Sequence, residues 1–393
     1  MSLGPDATRA IEALHRWRAG TDQPVCAYVY DLDALRRHAE WMVSLLPARC
    51  EVFYAAKANA EPPVLRTLRP IVHGFEAASG GELRWLHEHE PGSRLLFGGP
   101  GKLDDELALA VSLPDCAIHV ESVGELTRLA AIAERAGRRV PVFLRMNIAL
   151  PALGSTRLMM GGRPSPFGLD EDALPDALAC LRASPWLALQ GFHFHLMSHQ
   201  PDVDTHLALV DACLAAVARW RQAYGVETTV VNVGGGFGVD YAEPSRSFDW
   251  ARFCAGLDER LARYPVMTLR FEPGRYVSVA CGFYAMEVLD IKRNHGRWFA
   301  IARGGTHHFR TPAAQGHDHP FVTVRRGGAP VVADEEVTLV GQLCTPKDVL
   351  ARDQRLESLA PGDWLVFTLA GAYAWNISHQ HFLMHPPPTM LFV

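Results

Sequence analysis

The sequence predicts an α/β protein in which a parallel (β/α)8 barrel is followed by a mostly antiparallel β-domain. Three observations carry that expectation. The chain has 393 residues, beyond the roughly 250–300 at which a single hydrophobic core stops growing, so two domains are expected. Short apolar runs alternate with helical patterns from about residue 27 to about residue 275. Beyond that point β-type runs follow one another with turn signals between them and little helical periodicity.

The opening residues, MSLGPDATRAIEALHRWRAG, read as an amphipathic helix without the apolar centre of a signal peptide. Residues 1–26 are expected to pack on the second domain. Strand candidates then follow in order: VCAYVYD, EVFYAAKA, IVHGFEA, SRLLFGG, CAIHVES, VPVFLRMN, LQGFHFHLM, TTVVNVGGG and MTLRFEPG. Between most of them lie helical patterns such as LDALRRHAEWMVSLL, VGELTRLAAIAERAG and HLALVDACLAAVARWRQAYG. Repeated strand–helix alternation argues for a parallel sheet, and a closed barrel over 27–275 is its economical form. A doubly wound open sheet fits the same run of strands. After EPGRY come VSVACGFYAMEVLDIKR, RWFAIARGG, FVTVRR, EEVTLVG and DWLVFTLAG, which define a β-domain over 276–393.

Composition excludes several function classes. The chain is 48% hydrophobic and 21% charged, with a net charge of −5. That charge gives no electrostatic case for binding nucleic acid or an acidic membrane surface. No run approaches the ~18 apolar residues of a membrane span. Eight cysteines are dispersed without a CxxC pair, which suits reduced thiols in a cytoplasm.

In a barrel, catalytic groups gather at the C-terminal ends of the strands. Polar residues closing apolar runs are therefore the candidates. Lys57 closes EVFYAAKAN, where it is either a lysine snorkelling at a strand end or one that carries a carbonyl cofactor covalently. Gly234, Gly235 and Gly236 close TTVVNVGGG; they form either a tight turn or a backbone nest for a phosphate. The P-loop pattern is missing, so a small phosphate-bearing cofactor suits the run better than a nucleotide. Glu272, Gly274 and Arg275 lie in EPGRY, a possible surface ion pair were it not at a barrel-strand end. His193 and His195 in GFHFHLMSH alternate as same-face strand residues. With His199, His307, His308, His317 and His319 they show no HExxH or similar spacing, and no metal is expected. Cys344 in GQLCTPKDVL and Tyr373 in LAGAYAWN follow β-runs at glycine turns, where a buried packing role is the plain alternative for each.

Taken in order, YAAKAN, GFEAASGGEL, FHFHLMS, VNVGGGFG, EPGRY, GQLC and GAY resemble the motifs of the fold-type III pyridoxal-phosphate (PLP) decarboxylases, the family of diaminopimelate, ornithine and arginine decarboxylases. The likeness runs from about residue 25 to 385. It implies an alanine-racemase-like barrel, pyridoxal 5'-phosphate as cofactor, and a homodimer with shared sites. Residue by residue it implies that Lys57 carries the cofactor and that His195 stacks on its ring. Ser198, Gly234, Gly235, Gly236, Gly274, Arg275 and Tyr373 would surround its phosphate. Glu272 would pair with the ring nitrogen, Glu76 and Arg145 would stand beside the cofactor with Glu82 in the same loop motif, and Cys344 would donate the proton to Cα. Glu272 is informative because a carboxylate keeps the ring nitrogen protonated and the ring a strong electron sink, which favours decarboxylation over racemisation.

Departures from the family pattern bear on the substrate. Thr345 follows Cys344 where the diamino-acid enzymes typically place an acidic residue that reads a distal ammonium group. Arg310, in the position of the substrate-carboxylate arginine, and His317 lie in the histidine-rich segment RGGTHHFRTPAAQGHDHPF. Arg157 and Arg163 sit in the RLMMGGRPSPFGL loop, where SPFG stands for the usual KFG-like sequence. With Arg275 and Tyr373, these groups suit a substrate carrying several carboxylates. The chain thus resembles the siderophore branch of the staphyloferrin B type, acting on a citryl-diaminopropionate intermediate. A meso-diaminopimelate decarboxylase is the second reading, and a non-catalytic PLP-binding homologue the reading from another class.

Overall fold

A computed structural model describes residues 6–150, 162 and 164–393. Arg157 and Arg163 lie outside the described residues. The chain forms two compact units. Arg36–Val239 with Arg246–Val277 make one, and the described residues up to Leu35, Asp240–Ser245 and Ser278–Val393 make the other.

The first candidate strand, VCAYVYD, forms β1 (Cys26–Tyr30) but is not a barrel strand. All five of its residues are buried. A strand covered on both faces reads as a continuous apolar run whether it belongs to a parallel barrel or to the middle of another sheet, so periodicity could not assign it. The other eight candidates become β2 (Cys50–Ala55), β3 (Gly74–Ala77), β4 (Leu95–Phe97), β5 (Cys116–Val120), β6 (Val140–Arg145), β7 (Leu187–His193), β8 (Val230–Gly234) and β9 (Thr268–Phe271). They close into a barrel, with β2 pairing parallel to both β3 and β9. Closure removes the open-sheet alternative.

Local chemistry starts the helices where the barrel needs them. Ser79 caps the helix Gly80–His89 by accepting from the Glu82 amide, and Glu82 accepts from the Ala78 amide at 2.7 Å. Glu82 is thus a capping residue here. Ser122 and Glu125 repeat the device at Val123–Ala136, which ends on Gly137 at φ +60°. Inside the barrel, Arg270 pairs with Glu51 at 2.6 Å and lies over the rings of Phe53 and Phe143. Its guanidinium therefore enters the interior neutralised and on aromatic faces.

In the second unit, β10 (Gly282–Asn294), β11 (Arg297–Ala302), β12 (Phe321–Val324), β13 (Val332–Val340), β14 (Val349–Leu359), β15 (Trp364–Phe367) and β16 (Thr389–Phe392) build a mostly antiparallel sheet with β1. β1 lies between β10 and β16. The helix Thr8–Ala19 buries Ala10, Ala13 and Leu14 against Val25, Ala27, Phe283 and Trp364. Tyr241 belongs to this unit, stacked on His317 with centroids 5.1 Å apart. No helix among the described residues is long and apolar enough to cross a membrane.

Candidate active site

The ends of the barrel strands converge on one set of polar groups. Lys57 sits in a single 3-10 turn, Ala56–Ala58, directly after β2. Its Nζ donates to Glu76 Oε2 on β3 at 2.7 Å, and its side chain keeps 32% exposure against 5% for Glu76. The amine is therefore reachable while its partner is enclosed. Burial pushes the Glu76 carboxyl up to about 7, a rise that Lys57 opposes and the negative Glu272 reinforces.

Glu272 follows β9 and is 3% exposed. Asn232 on β8 donates to its Oε1 at 2.7 Å. His119 Nδ1 on β5 lies 3.7 Å from Oε1, and His193 Nε2 at the end of β7 lies 3.3 Å from Oε2. Burial opposes ionisation of Glu272, yet His119, Lys57 and His195 facing it, with the Asn232 hydrogen bond, hold its carboxyl below the ordinary range. Burial drives both imidazoles well below their usual pKa, so they are neutral at pH 7. Glu272 is accordingly a buried anion that accepts from Asn232 and lies against two neutral imidazoles.

His195 lies beyond the end of β7, at φ +22°. The strand alternation expected to carry it alongside His193 stops there, and its Nδ1 accepts instead from the Gly235 amide at 3.2 Å. The three glycines leave no room for side chains. A Cβ would stand 2.6 Å from His195 Nδ1 at Gly234, 2.4 Å from the Glu272 carbonyl oxygen at Gly235, and 2.5 Å from the Met197 carbonyl oxygen at Gly236. Gly234 and Gly236 also have φ of +81° and +93°, which L-residues rarely adopt. The same glycine brings the Ser198 backbone beside this turn. Gly274 packs against Ala58, where a Cβ would meet it at 2.8 Å, and Arg275 opens the short helix Arg275–Ser278. A bare backbone cradle, a reachable lysine and an enclosed carboxylate fit a phosphate-bearing pyridine aldehyde.

Arg145 is held by a residue that sequence reasoning missed. Its Nη1 donates to Glu121 Oε1 at 2.8 Å, and Glu121 also accepts from the Gly99 and Gly168 amides. Phe167 lies under the guanidinium at 4.8 Å. Glu121 and Asn232 both occur in quoted strand runs, CAIHVES and TTVVNVGGG. Applied to every run, the rule of polar residues at strand ends would have found Glu121, which follows β5, but not Asn232, which lies inside β8. His119 offered no such signal, being one polar residue inside an apolar run.

The remaining candidates lie in the second unit. Cys344 is the exposed one of the eight cysteines. Its loop is anchored by Asp348, 2% exposed, which accepts from the Leu343 amide at 2.8 Å and from the Thr306 amide and hydroxyl at 2.6 and 2.9 Å. Thr345 turns within that loop, its carbonyl accepting from the Asp348 amide. Arg310 is exposed and precedes the helix Thr311–Gln315. The Thr311 hydroxyl donates to the Tyr373 carbonyl, and the Arg310 amide donates to Ser378. Tyr373 stands at φ +50°. His317 contacts His319 at 3.1 Å, and His319 Nε2 donates to the Thr368 carbonyl at 2.7 Å. Arg310, Tyr373 and the helix before His317 thus share one hydrogen-bonded patch, while Cys344 has its own anchor.

Known proteins extend these observations. The pyridoxal-binding domain of the pyridoxal-dependent decarboxylases matches residues 32–279. A Staphylococcus aureus 2-[(L-alanin-3-ylcarbamoyl)methyl]-2-hydroxybutanedioate decarboxylase is 42% identical over 378 residues, 94% of each chain. A Vibrio cholerae diaminopimelate decarboxylase is 30% identical, covering 90% of this chain and 84% of its own. The crystal structure of the Helicobacter pylori diaminopimelate decarboxylase with L-lysine superposes with a TM-score of 0.84 at 24% identity, over 98% of this chain and 94% of that one. With a barrel bearing a lysine, a glycine cradle and a buried carboxylate at its strand ends, the chain belongs to the pyridoxal-dependent decarboxylases.

Proposed function

We propose that the protein removes CO2 from the amino-acid end of a citrate amide, the substrate class in the name of its Staphylococcus aureus relative. The observation that carries this reading is likeness to that enzyme along 94% of both chains, against 30% identity to a diaminopimelate decarboxylase. Thr345 adds to it, because a hydroxyl after Cys344 gives a distal ammonium group no charged partner. A citrate amide has carboxylates at that end instead, and Arg310, His317 and Arg275 are the groups we assign to them, with Tyr373 beside.

When bound, PLP supplies an electron sink for the pair left at Cα as the carboxyl departs. The chain's residues do the rest. Lys57 holds the cofactor, and Glu76 beside its Nζ takes up or releases the amine's proton. Glu272 would keep a proton on the ring nitrogen, and His195, fixed by its hydrogen bond from Gly235, would lie against the ring. The amides of Gly234, Gly235 and Gly236, with Gly274, Ser198, Arg275 and Tyr373, hold the phosphate, while Arg145 is fixed nearby by Glu121. The Cα–carboxyl bond breaks, CO2 leaves, and Cys344 Sγ returns a proton to Cα. We further propose a cytoplasmic homodimer in which Cys344 serves the neighbouring subunit's site.

The test is CO2 release from the citrate amide of diaminopropionate and from meso-diaminopimelate by the purified protein. Turnover of the amide with little on diaminopimelate is expected. The reverse preference would replace the siderophore reading with lysine biosynthesis. A Thr345→Glu variant gaining diaminopimelate activity would locate the discrimination.

A further inference from the structure

Beneath Glu272 lies a group that the reaction as described does not use. His119 and His193 are almost fully buried, and their rings stack with centroids 4.1 Å apart and planes 20° apart. His119 Nδ1 and both nitrogens of His193 make no hydrogen bond of good geometry among the described residues. Buried polar nitrogens in that state are costly, so their presence calls for a cause. With Glu272 they form a His–His–carboxylate cluster whose ligand atoms lie within 4.8 Å of one another. A metal is not that cause. Imidazole lone pairs lie in the ring plane, and stacked rings put theirs in two nearly parallel planes that no single ion can occupy.

Hydrogen-bond logic assigns the protons instead. The Asn232 carbonyl accepts from the Gly234 amide at 3.0 Å, which orients the side-chain amide. Its Nδ2 then has two hydrogens to place. One goes to Glu272 Oε1 at 2.7 Å and the other toward His119 Nε2 at 3.4 Å. An Nε2 that accepts leaves neutral His119 with its proton on Nδ1, the nitrogen 3.7 Å from Glu272 Oε1. For His193 the nearby charge decides: with Nε2 3.3 Å from Oε2, the tautomer that puts its proton on Nε2 is the one an anion favours. Both carboxylate oxygens are thereby faced by N–H groups from β5, β7 and β8.

We infer that His119, His193 and Asn232 are positioning residues for Glu272: Asn232 donates to it, and two neutral imidazoles turn N–H groups toward it, so that the carboxylate is oriented and its full negative charge is left for the cofactor's ring nitrogen. The neutrality matters. An imidazolium at 3.3 Å would pair with Glu272 and cancel the charge that the ring nitrogen needs. Burial, together with the cations Arg145, Lys57, Lys102 and Arg270 around the pair, keeps a proton off both rings. The Asn232 link also joins the glycine cradle to the carboxylate, so the groups assigned to phosphate and ring nitrogen are set by one side chain.

The inference rests on Glu272 as the ring-nitrogen partner. Nitrogen-15 NMR of the holoenzyme loaded with ring-labelled PLP reads the protonation of that nitrogen directly. His193→Phe and His119→Phe should lower its proton affinity about tenfold, one pH unit, with cofactor stoichiometry retained. A ring nitrogen protonated in the parent protein and unmoved in both variants would overturn the inference while leaving Glu272 in place. One unprotonated in the parent and unmoved by Glu272→Gln would remove the Glu272 assignment itself. If neither phenylalanine variant folds, nitrogen-15 histidine labelling of the parent holoenzyme decides. Neutral His119 with its proton on Nδ1 supports the inference, and a proton on Nε2 alone, or an imidazolium, defeats it.

Discussion

Glu76 is enclosed beside an amine, and its carboxyl is raised by burial to about 7 from an ordinary 4.5. The folded state holds that proton more tightly than the unfolded chain does. Its contribution to stability is therefore fully present below about pH 4.5 and is lost as pH rises through about 7. Thermal unfolding of the cofactor-free protein should show the wild type losing ground to Glu76→Gln between about pH 5 and about 8. Parallel profiles would mean that Lys57 keeps Glu76 ionised throughout. Lys57→Ala should abolish covalent attachment of PLP, checked by borohydride reduction and peptide mapping. Glu272→Gln removes the negative charge we propose for the ring nitrogen, and kcat should fall on the order of 10²–10³-fold. Lys57 and Glu272 were legible in the sequence because each closes an apolar run at the end of the barrel where chemistry collects, whereas Glu76, inside β3, came only from the family resemblance.

At the scale of elements, the turns carry the risk. Gly235 is enclosed by backbone rather than by a side chain that could swing away, since its would-be Cβ meets the Glu272 carbonyl at 2.4 Å. Gly235→Ala must displace the β8 turn or the start of EPGRY, and PLP affinity should fall at least tenfold in an equilibrium titration. Unchanged affinity would show that this turn does not hold the phosphate. Asp348 anchors the Cys344 loop through three donors. Asp348→Ala leaves them buried and unpaired, which costs about 1–3 kcal/mol in stability and loosens the loop. Chemical denaturation reads the first effect and the rate of Cα protonation the second. Asp348 was not legible as an anchor, because TPKD reads as a polar surface loop and its burial is decided by Gly305 and Gly341 on either side of its carboxylate.

For the whole molecule, the proposal that sites are shared between two copies makes an arithmetic prediction. Lys57→Ala and Cys344→Ala variants, each nearly inactive, should regain activity when unfolded together and refolded. Random pairing makes half the dimers mixed, each with one competent site, so about a quarter of wild-type activity returns. No recovery, with dimers demonstrated by sedimentation, would confine each site to one chain.

The α/β class, nine strand candidates and the strand-end positions of Lys57, Glu272 and the glycine run were readable from the chain, because strand period, apolar runs and strand-end chemistry are local properties. The sequence could not assign β1, whose unbroken apolar run suits either sheet equally, nor stop the strand alternation before His195. The neutral histidine pair under Glu272 belongs wholly to the tertiary structure. His119, His193 and Asn232 stand on three strands, distant in sequence, and only barrel closure brings them within reach of one carboxylate and dries them enough to stay uncharged.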